Sequence, residues 1–241
     1  MAAANPIVSE LERLPRGRHG LSRKMVADQQ RTRILAATVD VVAERGYPET
    51  RVVDIIKRAG VSRKTFYELF DDMEDCFLAA FDVAAGLLQK VTNDGYESAP
   101  DAPWAERVRL GLANFLQIIA DRPTAAKFCI VDVLAAGPKA LARRDAAMRQ
   151  FTQYIENGRA EAAVELPGMT SLALVGGVYE LIYSEILHGA TAHLPARLPD
   201  IHYWLIHPFL GDDRAEAARE RAREAMAETR AEGAELPPEA A

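Results

Sequence analysis

The stretch Thr50–Phe70, TRVVDIIKRAGVSRKTFYELF, leaves few folds open to the chain. Val52, Val53, Ile55 and Ile56 form the apolar side of a short helix. Gly60 ends it, because a residue without a Cβ takes the left-handed conformation at little cost. Thr50 is expected to N-cap this helix, with Asp54 near the positive end of its dipole. Val61 then supplies an apolar plug, and Ser62 an N-cap for a second helix through Arg63, Lys64, Thr65, Phe66 and Tyr67. Asp71 and Glu74 have capping-box spacing and start a third. Two helices joined by so short a glycine turn form a helix-turn-helix, a unit that places its second helix in the major groove of DNA.

The second helix has suitable chemistry. Arg63 and Lys64 stand at its N-terminal end, Thr65 and Tyr67 add hydroxyls, and Phe66, Leu69 and Phe70 are expected to face inward. An ordinary helical hairpin with a solvated basic end would share this pattern, so the distribution of charge matters. The net charge is −6, which alone disfavours nucleic acid. The first 70 residues, however, carry 13 Lys and Arg against 8 Asp and Glu, and the remaining 171 carry 16 against 27. A basic head on an acidic body binds phosphate at one end only.

The helix before this stretch, QRTRILAATVDVVAERGY, and the restart after it, FDDMEDCFLAAFD, complete a larger pattern. Residues 28 to 82 resemble the DNA-binding domain of the tetracycline-repressor (TetR) family of transcriptional regulators. The residues that carry the resemblance are Glu44-Arg-Gly-Tyr47, Thr50, Asp54-Ile55, Ala59-Gly60-Val61-Ser62, Thr65-Phe66-Tyr67 and Phe70. Met73 stands where members of that family often carry a lysine. The resemblance implies an all-α chain: an N-terminal three-helix helix-turn-helix domain fused to a helical-bundle domain that binds an effector and dimerises. It implies DNA contacts from Ser62, Arg63, Lys64, Thr65 and Tyr67, supported by Thr50. It further implies that helices near 171–190 and 198–210 form a four-helix dimer interface, to which Val175, Gly176, Tyr179, Ile182, Tyr183, Ile186, Trp204 and Leu205 are expected to contribute.

The rest of the chain agrees with a helical body. Hydrophobic content of 49% and 27% charged residues suit a globular protein with a sizeable core. The expected divisions are a basic arm at 1–24, the head at 25–72, the body at 73–211 and a charged, solvated tail at 212–241. Asn93-Asp94-Gly95 reads as a helix break. A ligand pocket is expected within residues 80 to 190, lined by Phe115, Phe128, Phe151 and Tyr154, with Asp132 the one carboxylate in an apolar segment. The implied partners are an operator in double-stranded DNA, a second copy of the chain and a small, largely hydrophobic effector.

Other chemistry finds little support. Glu185 and His188 have the spacing of a di-iron motif, but no second copy accompanies them. Cys76 and Cys129 form no ligand pair. No catalytic residue, metal site or cofactor is expected, and the competing readings are a helical adaptor without DNA binding or an enzyme with its site inside the bundle. No run approaches the roughly 20 uninterrupted apolar residues that span a bilayer. A cytoplasmic protein with no membrane partner is expected.

Overall fold

A computed structural model of the chain describes residues 23–235, so the expected basic arm lies outside the described residues except for its last two positions. All regular structure among them is helical. In order come α1 (Arg23–Arg45), α2 (Val52–Ala59), α3 (Arg63–Leu69), α4 (Met73–Tyr96), α5 (Trp104–Asp121), α6 (Pro123–Ile130), α7 (Pro138–Glu156), α8 (Thr170–Leu187), α9 (Leu198–Leu210) and α10 (Asp212–Glu235). Short 3-10 turns follow α6, α7 and α8 at Asp132–Ala135, Asn157–Glu161 and Thr191–Arg197.

Two compact units divide these helices. The first takes in residues 23–87, 122–147 and 186–188, so it is larger than the 25–72 head expected from the sequence. Its core gathers Ile34, Leu35, Val41 and Val42 of α1 with Ile55 of α2, Phe66 and Phe70 around α3, and Phe77 and Phe81 of α4. Phe77 is fully buried between Tyr47, whose ring meets it edge-on at 4.9 Å, and Phe128 of α6 at 4.7 Å. The helical spacing of the α1 stripe directs these side chains to one face. Cys76 and Cys129 are both buried in this unit, and burial pushes each thiol up to about 12, which leaves them unreactive.

The second unit holds residues 88–121, 148–185 and those from Gly189 onward. Its α4 segment runs unbroken through Asn93, Asp94 and Gly95, where the sequence suggested a stop. Gly95 serves a close approach instead: a Cβ there would lie 2.6 Å from the Leu110 carbonyl oxygen and 2.7 Å from the Asn114 amide of α5. Gly177 does the same for α8 and α9, since the Trp204 indole occupies the place of its missing Cβ. Two mid-helix glycines cost roughly 1 kcal/mol each against alanine, and the indole packing accounts for one of them. Nothing lies within 4 Å of the position a Cβ would take at Gly176.

The expected solvated tail is corrected by α10. Ala215, Ala218 and Ala222 recur at helical spacing and are all buried, and small side chains allow its backbone close to its neighbours. Arg219 clamps it by donating to Asp200 of α9 at 2.9 and 2.6 Å, with its guanidinium over the Tyr203 ring. The 18-residue α8 is the one described helix long and apolar enough to cross a bilayer, although Glu180 and Glu185 lie within it and a third of it is buried.

His202 of α9 sits fully inside this unit, with Nε2 2.7 Å from the Ala105 carbonyl and Nδ1 unpartnered. Burial lowers its pKa from 6.5 to about 4, so the ring is neutral and Nε2–H donates. The unfolded chain therefore takes up this proton first as pH falls, and acid favours unfolding. Stability from this site is complete above about pH 6.5 and is lost toward pH 4, with a slope of at most about 1.4 kcal/mol per pH unit. Urea unfolding of wild type and His202→Gln across that range is expected to show a steeper acid loss for wild type. Equal slopes would contradict the assignment.

Candidate nucleic-acid interface

The turn between α2 and α3 is built as its residues require. Gly60 takes φ 62° and ψ 41°, the left-handed conformation, and its N–H reaches the Ile56 carbonyl. The N–H of Val61 converges on the same oxygen at 3.1 Å. Ser62 N-caps α3, its Oγ accepting from the Thr65 N–H at 3.0 Å and lying 2.9 Å from the Thr65 hydroxyl. A third element completes the turn. Arg33 of α1 directs Nη2 at the carbonyls of Ala59 and Gly60, the latter at 3.1 Å, and so satisfies acceptors that the end of α2 leaves open. The Arg33 guanidinium is thus committed to the turn.

Thr50 differs from expectation. Arg51, not Thr50, is the N-cap residue of α2, and its N–H donates to the Asp54 carboxylate at 3.2 Å. Thr50 is buried and gives its hydroxyl to the Gly46 carbonyl at 2.8 Å, closing the turn after α1. Its side chain thus has no free donor to offer a backbone phosphate.

The face of α3 opposite the core presents the remaining candidates together. Phe66 is wholly buried and Phe70 nearly so, which fixes the rotation of the helix and leaves Ser62, Arg63, Lys64 and Tyr67 exposed, with Thr65 half-buried. The Arg63 guanidinium lies 5.6 Å from the Tyr67 ring centroid, a pairing that holds both side chains along one edge. Lys64 is highly exposed and pairs loosely with Glu68 at 3.6 Å. An exposed pair of this kind contributes little and is readily exchanged for a phosphate. Arg51 and Lys57 add exposed positive charge on α2, whereas Arg58 is occupied by Glu44 at 2.9 and 2.6 Å, contacts that hold the glutamate below its usual pKa.

The residues expected to line a ligand pocket separate. Phe115, Phe151 and Tyr154 meet in the second unit, with Phe115–Phe151 ring centroids 5.0 Å apart and Tyr154 also 4.8 Å from Tyr96. Tyr154 donates to Asn93 at 3.1 Å and accepts from Gln89 at 3.0 Å. The oxygen of that amide, Gln89 Oε1, is buried without a partner. Turning the amide over would only orphan the nitrogen instead. Gln89 was missed in the sequence because a glutamine on a helix carries no motif. Phe128, by contrast, is spent on the core of the first unit, and Asp132 is buried beside Lys127, at 3.0 and 3.2 Å from its ammonium. Aromatic packing accounts for the burial of the one, and an internal cation partners the other. A cleft of ≈ 450 Å³ opens elsewhere in the second unit between Tyr96, Asp101, Trp104, Arg107, Asn157 and Glu161.

Among the residues expected at a dimer interface, Val175, Ile182, Ile186 and Leu205 are buried within the chain. Gly176, Tyr179 and Tyr183 are half-buried, and Trp204 is 44% exposed. Leu172, 51% exposed on α8, was not anticipated.

Residues 34–80 match the model for bacterial regulatory proteins, tetR family. The HTH-type transcriptional regulator EthR of Mycolicibacterium smegmatis is 30% identical over 115 residues, which is 48% of this chain and 52% of that protein. The fatty acid metabolism regulator protein of Bacillus subtilis is 35% identical over 88 residues, 36% of this chain and 44% of that protein. The chain thus spans about half the length of these curated relatives. The crystal structure of the transcriptional regulator FadR from Bacillus subtilis in complex with stearoyl-CoA shares the fold, with a TM-score of 0.64 at 19% identity over 72% of this chain and 96% of that one.

Gly60→Ala places a Cβ in a left-handed residue and 2.7 Å from Arg33 Nη2, and is expected to cost about 1–2 kcal/mol by denaturant unfolding. Ser62→Ala should cost about 1 kcal/mol through the lost cap. A neutral result at both positions would contradict this account of the turn.

Proposed function

We propose that this chain, which belongs by its helix-turn-helix head to the tetR family of bacterial regulatory proteins, is a homodimeric repressor that a small ligand releases from its operator. The observation that carries the reading is the exposed row Ser62, Arg63, Lys64 and Tyr67 on a helix whose opposite side is locked by Phe66 and Phe70. A rigid helix with a basic, hydroxyl-rich outer edge suits a major groove. Arg63 or Lys64 reads a guanine edge, while Ser62, Thr65 and Tyr67 hold phosphates and fix the register. Thr50 acts only from behind, through the turn it closes.

The second copy docks on α8 and α9. Leu172, Gly176, Tyr179 and Tyr183 follow one another at helical spacing and retain exposed surface, and Trp204 adds an exposed aromatic on α9. Open space at Gly176 admits the partner's helix. Two heads then meet successive major grooves about one helical turn apart. The ligand is a hydrophobic molecule with a polar end, received where Phe115, Phe151 and Tyr154 meet, with the unpartnered amide oxygen of Gln89 beside Tyr154. The stearoyl-CoA in the structure of the Bacillus subtilis regulator supports a fatty acyl thioester as the class to try first. Its effect is a shift of population: whichever state binds the ligand better gains, and here that state holds the heads away from operator spacing.

Mobility shift on the chain's own upstream DNA tests the central reading. Arg63→Ala and Lys64→Ala are each expected to weaken specific binding by roughly tenfold or more, and the phosphate-contacting Tyr67→Phe by a few-fold irrespective of sequence. Affinity should fall steeply with salt. Failure of the wild type to bind any genomic fragment at low salt would sink the reading. For the interface, Leu172→Glu together with Tyr183→Glu should turn a dimer into a monomer in sedimentation. An unchanged sedimentation coefficient would move the interface elsewhere.

A further inference from the structure

Within the first unit, one side chain joins the DNA-reading helices to the helices beyond them. Lys127 of α6 extends its ammonium to the Ala43 carbonyl in the last turn of α1, at 2.8 Å. The same nitrogen holds both oxygens of Asp132, at 3.0 and 3.2 Å. Its three protons are therefore matched by three acceptors. The Asp132 carboxylate is only 7% exposed and the Lys127 side chain 36%. Ala43 lies among the final carbonyls of α1, which have no partner inside the helix and carry the negative end of its dipole. A cation placed there is favoured by both.

We infer that Lys127 is a positioning residue for DNA binding: with Asp132 holding its ammonium in place, it straps the end of α1 to α6 and so fixes where the helix-turn-helix stands. The inference rests on the regulator reading above. The mechanics follow from what α1 carries. Ile34, Leu35, Val41 and Val42 form its buried side, and Arg33 caps α2, so α1 is the element on which α2 and α3 are mounted. Tethering its far end restricts rotation of the reading face. Asp132 holds the ammonium over Ala43 and limits the states the lysine explores. Two heads on one operator must keep their spacing, and a loose mount spends binding energy on ordering that the strap has already imposed. Neither residue touches DNA in this arrangement.

Replacing Lys127 alone would leave a buried carboxylate unpaired, so the informative variant is Lys127→Met/Asp132→Asn, which removes strap and charge together. Two measurements on the full chain decide the matter. Hydrogen exchange without DNA is expected to show faster exchange at the end of α1 and through α2 and α3, with α5 and α9 unchanged. Operator affinity is expected to fall on the order of tenfold while affinity for random DNA holds. Exchange at wild-type rates in α1–α3 would overturn the strap, as would an operator affinity within twofold of wild type. Absence of DNA binding by the wild type would instead count against the regulator reading, and the exchange result would still judge the strap.

Discussion

An α-helix leaves its last carbonyls without partners, and the way α2 resolves that problem sets the geometry of the head. Gly60 turns the chain left-handed so that two backbone N–H groups reach the Ile56 carbonyl, and Arg33 arrives from α1 to take Ala59 and Gly60. Three helices are thereby fixed by one turn. A residue with a Cβ at position 60 would strain the backbone and displace the guanidinium that holds it. The exposure of Arg63, Lys64 and Tyr67 follows from this turn together with the burial of Phe66. The exposed face of α3 is thus a consequence of packing on its hidden side.

The second unit obeys a different constraint, the close approach of helices. Gly95 lets α5 come against α4, and Gly177 receives Trp204, which ties α9 to α8. The alanine stripe of α10 adds a further layer of the same kind. Such packing spends the apolar residues Val175, Ile182 and Leu205 inside the chain, and the surface that remains on α8 is smaller and more mixed than its sequence suggests.

Local signals were legible in the sequence and paired ones were not. Gly60, Ser62 and Phe66 each follow from a rule that acts within a few residues. Arg33 could not be placed in the same way, since its partners lie 26 and 27 positions away and a surface arginine looks alike whether it meets a phosphate or a carbonyl. Thr50 sits beside the helix start, one residue early, and its hydroxyl found the Gly46 carbonyl instead. Asp132 looked orphaned because Lys127 is five residues earlier, a separation that a continuous helix would not bring together. The 3-10 turn after α6 does so. Gly95 signalled a break because sequence alone does not distinguish a glycine that stops a helix from one that admits a neighbour. The aromatic candidates for the ligand pocket were sorted by residue type, and type does not say which unit a ring will fill.

The central claim is that a rigid, basic helix face reads DNA as one of a symmetric pair. Selection of bound fragments from a randomised duplex library by the full-length protein addresses both halves at once. The account predicts enrichment of an inverted repeat with half-sites about one helical turn apart, each with a guanine at a fixed position. Enrichment of a single asymmetric site would contradict the pairing of heads, and recovery of an unselected library would contradict the reading of DNA by α3.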